Sequence, residues 1–438
     1  MLVFFSDIHL ADGTSGETIN EGAFELFADQ VADLAHKREA RAFHLVLLGD
    51  GIDVIRSSRW LAADSPVRPW TPRGGQQESL VLDILRATVD RNRAALAHLR
   101  GLPERIASRG HIPADRVGFD YVLGNHDWLI NRYRSTREVT ARALGMPERY
   151  VDRGFPAEYI SPPEAYDVVA RHGDVYDRLN YDGRRGRDAA SLGDVVTVEI
   201  LNRFPLEVAA QLEGHPRRQA IVTRLREVDN VRPYSRIGAW VAEVIGDLEN
   251  EDPQFVEAAR RALVRCAEDA LRSPVFNEFA RRQLGRTGRA YLRVLLDQVR
   301  RRQFDVLDWM TRFGERLWAA WRILKGVSTS ELLEYALGEQ GPGGHMPRFV
   351  IYGHTHKVDV APLPEADDRG QHRYYLNTGT WRPVWERSET AGHHTEFASW
   401  KEMTYVVLYS PSEAHHKHEF EMWTGSLLDR SPQRLAPG

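Results

Sequence analysis

The residues whose types and spacing could do chemistry fall in short clusters: Asp7-x-His9, Gly49-Asp50-x-x-Asp53, Gly124-Asn125-His126-Asp127, His172-Gly173-Asp174 and Gly353-His354-Thr355-His356. They offer carboxylate, imidazole and amide donors and no thiolate. That set suits divalent ions such as Mn, Fe, Zn or Ni, and not copper(I) or an iron–sulfur cluster. Residues two apart at a strand end point the same way, so Asp7 and His9 can serve one ion, and His354 and His356 repeat the device. The two oxygens of Asp50 can bridge two cations, while Asn125, His172 and the other histidines each add one donor. Two such ions about 3.5–4 Å apart could bind both non-bridging oxygens of a phosphate and generate hydroxide at neutral pH. Singly, each cluster is an ordinary polar turn. Their joint occurrence is what points to a metal site.

The elements that must position these clusters are short apolar runs. Leu2 to Phe5, Phe43 to Leu48, Val117 to Leu123, Tyr166 to Ala170 and Phe349 to Tyr352 each end close to one of them. Their length and content predict buried strands. Helices are predicted between the first three, near Thr18 to Arg38 and Gln76 to Leu99; in the first, Phe24, Phe27, Val31 and Leu34 form one apolar face. Alternating strands and helices predict a mostly parallel sheet, with its site beyond the carboxyl ends of the strands. Val358 to Leu363, Arg373 to Leu376, Thr404 to Tyr409 and Glu419 to Trp423 read as later strands of a second sheet. The expected fold is α/β, a two-sheet β-sandwich flanked by helices, with a large α-helical insertion.

The chain has 438 residues, a formal net charge of -4 and one cysteine, Cys266. The charge gives no global attraction to nucleic acid or acidic membranes. A single cysteine excludes an internal disulfide and a cysteine-rich zinc knuckle. With neither an export signal nor an apolar run of membrane-spanning length, the expectation is a soluble, cytoplasmic protein.

The ordered motifs resemble those of the calcineurin-like metallophosphoesterase superfamily, over residues 1–176 and 346–425. The resemblance implies one ion held by Asp7, His9, Asp50 and His356 and another by Asp50, Asn125, His172 and His354, with Mn first among the candidate metals. His126 matches the family histidine that contacts phosphate or protonates the leaving oxygen, with Asp53 or Asp127 orienting it; a turn or helix cap is the alternative for Asp127. Phe5-Ser6-Asp7-Ile8-His9-Leu10 and His172-Gly173-Asp174 are most similar to the UDP-2,3-diacylglucosamine pyrophosphohydrolase branch. That branch commonly has Arg at the position of His126 and a far shorter insertion.

Residues 177–345 form the insertion, a cap or side domain emerging beside the site, and 426–438 a C-terminal tail. Helices are predicted near Asp194–Leu212, Arg236–Leu248, Gln254–Leu271, Pro274–Leu284, Arg289–Trp321 and Ser330–Leu337. The apolar stripe from Phe304 to Leu324 reads as core packing of the cap or as a lipid pocket, and Arg300-Arg301-Arg302 as a solvated helix face or a phosphate contact. Arg56, Arg59, Trp60, Arg68, Trp70 and Arg73, together with Asn131, Arg132 and Tyr133, could contact a second phosphate or a base; the alternative is surface arginines around packed tryptophans. The function expected is hydrolysis of a phosphodiester, phosphomonoester or pyrophosphate bond in a nucleotide-like small molecule. A DNA or RNA nuclease is the alternative, and a non-catalytic binding protein on this fold a third.

Overall fold

The structure is a computed structural model. It describes residues 1–16, 19–63, 65–110, 112–231, 240–241, 243–244, 253–300, 327–367, 369–389, 395–410, 413 and 419–427. The stripe from Phe304 to Leu324, Arg301, Arg302 and most of the helix predicted over Arg236–Leu248 lie outside these residues.

The chain is mixed α/β with two mixed sheets. In the first, strands β1 (Leu2–Phe5), β2 (Phe43–Leu48) and β3 (Val117–Val122) run parallel. β9 (Pro383–Glu389), β10 (Thr395–Leu408) and β11 (Phe420–Leu427) extend it, β10 lying antiparallel to β1 and carrying β9 and β11 as antiparallel partners. The second sheet has the order β4 (Tyr159–Ser161), β5 (Val168–Ala170), β6 (Phe349–Tyr352), β8 (Arg373–Thr378) and β7 (Val358–Leu363), with β5, β6 and β8 parallel.

Alternation along β1 explains the layering. Leu2 and Phe4 point with Val46, Leu48 and Val122 toward Val168, Ala170, Phe349, Ile351 and Leu376 of the second sheet, making the inner core. Val3 and Phe5 point the other way, with Leu45 and Leu47, against Phe24, Phe27 and Val31 of helix Glu21–Lys37. Helix Thr329–Leu337 covers the outer face of the second sheet through Leu332 and Ala336, which pack on Val350, Tyr352 and Tyr375.

The partition of strands differs from the single parallel sheet expected to carry every site cluster. β5 and β6 belong to the second sheet, and the late strands β10 and β11 complete the first. Apolar runs fix strand character but carry no record of the partner each strand takes. The helix expected from Gln76 to Leu99 is broken at Asn92, whose side-chain amide donates to the carbonyls of Thr88 (2.8 Å) and Ala11 (2.9 Å). That expected over Asp194–Leu212 is interrupted by a π-helical stretch, Thr197–Asn202. Pro205, four residues beyond Leu201, has no N–H to return to that turn, which loosens the ladder there.

Besides the helix Thr329–Leu337, the insertion packs in two further places. Leu192, Val195, Val198, Phe276, Phe279 and Ala280 join the core shared with β1 and β2. Phe204, Val208, Leu225, Phe255, Ala259 and Cys266 form a separate cluster, closed by Phe397 of β10. Gly285, at φ 72°, interrupts the long stretch Pro274–Arg300 where two helices were expected.

Candidate metal centre

The five clusters meet at the strand ends of the two sheets. β1 delivers Asp7 and His9, β2 Asp50, β3 Asn125 and His126, β5 His172, and β6 His354 and His356. The backbone there is unusual. Asp7 (φ 53°), His9 (45°), Asp50 (50°), His354 (70°) and His356 (58°) are left-handed, a conformation that among the described non-glycine residues only Glu39 and Asp167 share. Each such residue costs about 1–3 kcal/mol and persists where surrounding structure holds it, most often at functional sites. Glycines let the loops approach: a Cβ on Gly124 would lie 2.7 Å from the Asp50 amide nitrogen, and one on Gly353 would lie 2.6 Å from Asp7 Oδ2.

Donor atoms converge on one buried point. Asp7, His9, Asp50 and His172 are at most 1 % exposed. His9 Nε2 and His356 Nε2 are 3.1 Å apart. Asp7 Oδ1 lies 3.2 Å from His356 Nε2, 3.9 Å from His9 Nε2 and 4.0 Å from His172 Nε2. Asp50 Oδ2 stands between the halves, 3.5 Å from His9 Nε2 and 3.3 Å from His172 Nε2. Asn125 Oδ1 is 3.2 Å from His172 Nε2. Asp7-His9-His356, His9-Asp50-His126 and Asp7-Asp50-His172 are each grouped closely enough to hold a cation.

The other end of three of these rings is anchored. His9 Nδ1 is 2.8 Å from Asp53 Oδ2, His172 Nδ1 is 2.9 Å from the Leu48 carbonyl, and His354 Nε2 is 2.9 Å from Asp177 Oδ2. An N–H donated to each acceptor leaves the opposite nitrogen with its lone pair, the arrangement typical of metal-ligating imidazoles. In His354 that opposite atom is Nδ1, which is buried and makes no hydrogen bond, as does Asp7 Oδ1. Neighbouring loops buttress Asp7: its Oδ2 accepts from Ser6 Oγ and the His354 N–H, and its carbonyl accepts from Thr380 Oγ1 and the Trp381 N–H. These buried, unpaired donors fit a cation.

The electrostatics treat the donors unequally. Burial and the nearby Arg382 guanidinium push His9 down to about 3, keeping its ring neutral. Burial works against charge on His172 too, but the Asp50 and Asp7 carboxylates overcome it and raise this histidine to about 10. Burial, reinforced by the neighbouring Asp50 charge, raises Asp7 against the pull of His172. Two carboxylates this close and this dry call for positive charge between them.

His126, the most exposed of these histidines with 14 % of its side chain accessible, has Nδ1 3.0 Å from Asp53 Oδ2, a close ionic contact without hydrogen-bond alignment. Burial disfavours its charged form, yet Asp53 and Asp50 raise it to about 9. Asp53 therefore faces both His9 and His126. Asp127 does not reach His126. It accepts hydrogen bonds from Tyr121 Oη (2.6 Å), the Gly124 N–H (2.7 Å) and the Gly51 N–H (3.2 Å), tying two ligand loops together. It sits at the N-cap of helix Trp128–Arg132 without a side-chain capping bond.

The arginine loop is turned to other work. Arg56 is buried, its Nε 3.0 Å from Asp229 of the insertion, and Arg382 joins the same carboxylate at 3.1 Å. Trp60 is fully buried, with its indole N–H donated to the Val54 carbonyl, so it offers no platform to a base. Arg59 is exposed and pairs with Asp12 at 3.2 Å. Arg132 pairs with Asp188 (2.6 Å) and Gln77 (2.8 Å) and lies over the Trp128 ring. Arg68 pairs with Glu199, and Asn131 bonds Phe155. Guanidinium and indole groups beside a ligand loop gave no sign that acidic residues far along the chain would engage them. Asp177 and Asp229 themselves lie in no recognisable motif; only the folded chain brings them to the site.

No family model, curated protein or solved structure matches this sequence. Among the described residues no helix is long and apolar enough to cross a membrane.

Proposed function

We propose that this protein is a dinuclear metal-dependent phosphoesterase of the calcineurin-like type, acting on a small phosphorylated molecule of nucleotide-like character. The reading is carried by one observation: Asp53, the Leu48 carbonyl and Asp177 each hold one nitrogen of His9, His172 and His354, while the other nitrogens of His9 and His172, from the two sheets, lie 3.5 and 3.3 Å from Asp50 Oδ2. Asp7, His9, Asp50 and His356 would hold one ion, and Asp50, Asn125, His172 and His354 the other. Bound there, divalent cations would polarise phosphoryl oxygens and supply a nucleophile from water near neutral pH.

The chain's own residues do the rest. Asp53 keeps His9 in the tautomer a cation needs. It also keeps a proton on His126, which stands at the rim of the site and is placed to give that proton to a departing oxygen. Asp127 holds the Gly51 and Gly124 loops at fixed separation, so Asp50 and Asn125 stay in register.

The test is a product analysis across nucleotides, nucleotide-sugars, cyclic dinucleotides and single-stranded DNA and RNA with Mn present. Release of phosphate or a nucleotide from small substrates is expected, and Asp50→Asn should abolish it with the fold intact. Turnover confined to the nucleic acids would replace this reading by a nuclease. Wild-type turnover after stringent chelation, with no metal detectable, would overturn it.

A further inference from the structure

The two candidate ion positions are not supported alike. His9 leans on Asp53, which follows β2, and His172 leans on the carbonyl of Leu48 in β2 itself. Both supports belong to the sandwich. His354 leans on Asp177, the first residue of the insertion. Asp177 is 3 % exposed, and its carboxylate does more than meet one imidazole. Its Oδ1 accepts from the Leu179 N–H at 2.8 Å. Its Oδ2 accepts from Asn180 Nδ2 at 2.9 Å and from the Val327 N–H at 3.2 Å.

Val327 leads directly into the helix Thr329–Leu337, which Ser328 and Glu331 cap reciprocally. This helix follows the long excursion of the insertion and packs on β6 and β8, and its Thr329 Oγ1 donates to Thr355 Oγ1 between the two β6 histidines at 3.5 Å. One buried carboxylate thus gathers the outgoing end of the insertion, the returning end and the ring of His354. Without it His354, whose ring centroid lies 5.2 Å from that of His172, has no described partner on Nε2 to fix the direction of its buried, unbonded Nδ1.

We propose that Asp177 is a positioning residue that makes the ion site of Asp50, Asn125, His172 and His354 depend on the seating of the insertion, while the site of Asp7, His9, Asp50 and His356 forms on the sandwich alone. This rests on the metal reading given above and assigns the insertion a part in it. Loading is therefore asymmetric: the ion beside His9 binds first and more firmly, and the ion beside His354 binds at full strength only when Val327 and Asp177 are clasped.

The experiment is a Mn titration of the full chain by calorimetry, with bound metal counted after dialysis, for wild type, Asp177→Ala, Asp177→Asn and Val327→Pro. Wild type should bind two ions. Asp177→Ala should keep the first at wild-type affinity and bind the second about 10–100-fold more weakly, the usual effect of removing a partner behind a ligand imidazole. Asp177→Asn, which retains a carbonyl oxygen for His354, should recover part of that loss. Val327→Pro removes a single N–H donor and leaves both side chains in place; it should weaken the second ion in the same direction by a smaller factor. Equal weakening of both ions in Asp177→Ala, or two wild-type affinities, would overturn the assignment of Asp177. Unchanged affinities in Val327→Pro would overturn the link to the insertion. Wild type binding no Mn at all would instead remove the metal reading itself.

Discussion

Asp53→Asn is the substitution whose consequence can be worked out furthest. Asp53 Oδ1 accepts from the backbone N–H groups of Ile55 (3.0 Å) and Arg56 (2.9 Å), and Oδ2 faces His9 Nδ1 (2.8 Å) and His126 Nδ1 (3.0 Å). An asparagine must keep its carbonyl oxygen toward the two backbone donors, so its NH2 turns to the histidines. His9 can then meet it only by accepting at Nδ1, which moves the ring proton to Nε2, the atom 3.1 Å from His356 Nε2 and 3.9 Å from Asp7 Oδ1. The nitrogen that should hold an ion is then blocked. Loss of one orienting partner typically weakens metal binding about 10–100-fold. A wrong tautomer together with a lost proton donor lowers turnover by about 10²–10⁴-fold even with metal saturating. His126 supplies a second readout. Its raised value of about 9 means that in the metal-free wild type it is charged below that pH and loses its proton as pH rises through it. Without the Asp53 charge the titration moves to lower pH, visible in the imidazole proton resonances of metal-free protein. The assays are Mn calorimetry, hydrolysis of bis(p-nitrophenyl) phosphate at saturating Mn, and that titration. Wild-type Mn affinity, turnover within twofold and an unmoved His126 would refute the reasoning.

Asp229→Ala removes the carboxylate shared by the buried Arg56 and Arg382, and breaking a buried ion pair on one side costs about 3–5 kcal/mol; urea unfolding should show it, and a change below about 1 kcal/mol would contradict the pairing. Gly353→Ala places a Cβ 2.6 Å from Asp7 Oδ2, so Mn affinity should fall about tenfold or more with the circular dichroism spectrum unchanged, whereas unchanged affinity would show that the loop has room. Burial, with Glu207 nearby, pushes the Cys266 thiol up to about 12 from its ordinary 9.0, so between those values the unfolded chain releases a proton that the native chain retains. Native stability should therefore decline there by about 1.4 kcal/mol per pH unit more in wild type than in Cys266→Ala, as measured by urea midpoints; parallel declines would place the thiol in solvent.

The parts of this protein that could be read from its sequence are those whose cause is local. A short apolar run followed at once by Asp, His or Asn is a complete statement about one strand and the side chains at its end, and β1, β2 and β6 lie where those runs lie. The sheet each strand joins is a different matter. β5 reads like β3, yet it pairs with β6 in the second sheet because its neighbours in space come from far along the chain. The same division runs through the site. The candidate metal-holding residues sit in local motifs, since each must occupy a strand end and, for Asp7, His9, Asp50, His354 and His356, a left-handed residue there. The atoms that hold them come from elsewhere: Asp177 lies 177 positions from the His354 it supports. Arg56 and Trp60 invert the lesson. Their types and position beside Asp50 allow either a face offered to ligand or surface arginines around packed tryptophans; Trp60 is packed, and Asp229 draws Arg56 inward as well. The arginine loop thus serves as the seat of the insertion, with Asn202 donating to the carbonyls of Ile55 and Ser57 in the same stretch. The insertion is thereby anchored to the sandwich at Asp177, Asn202 and Asp229, three contacts that no local pattern in the chain announces.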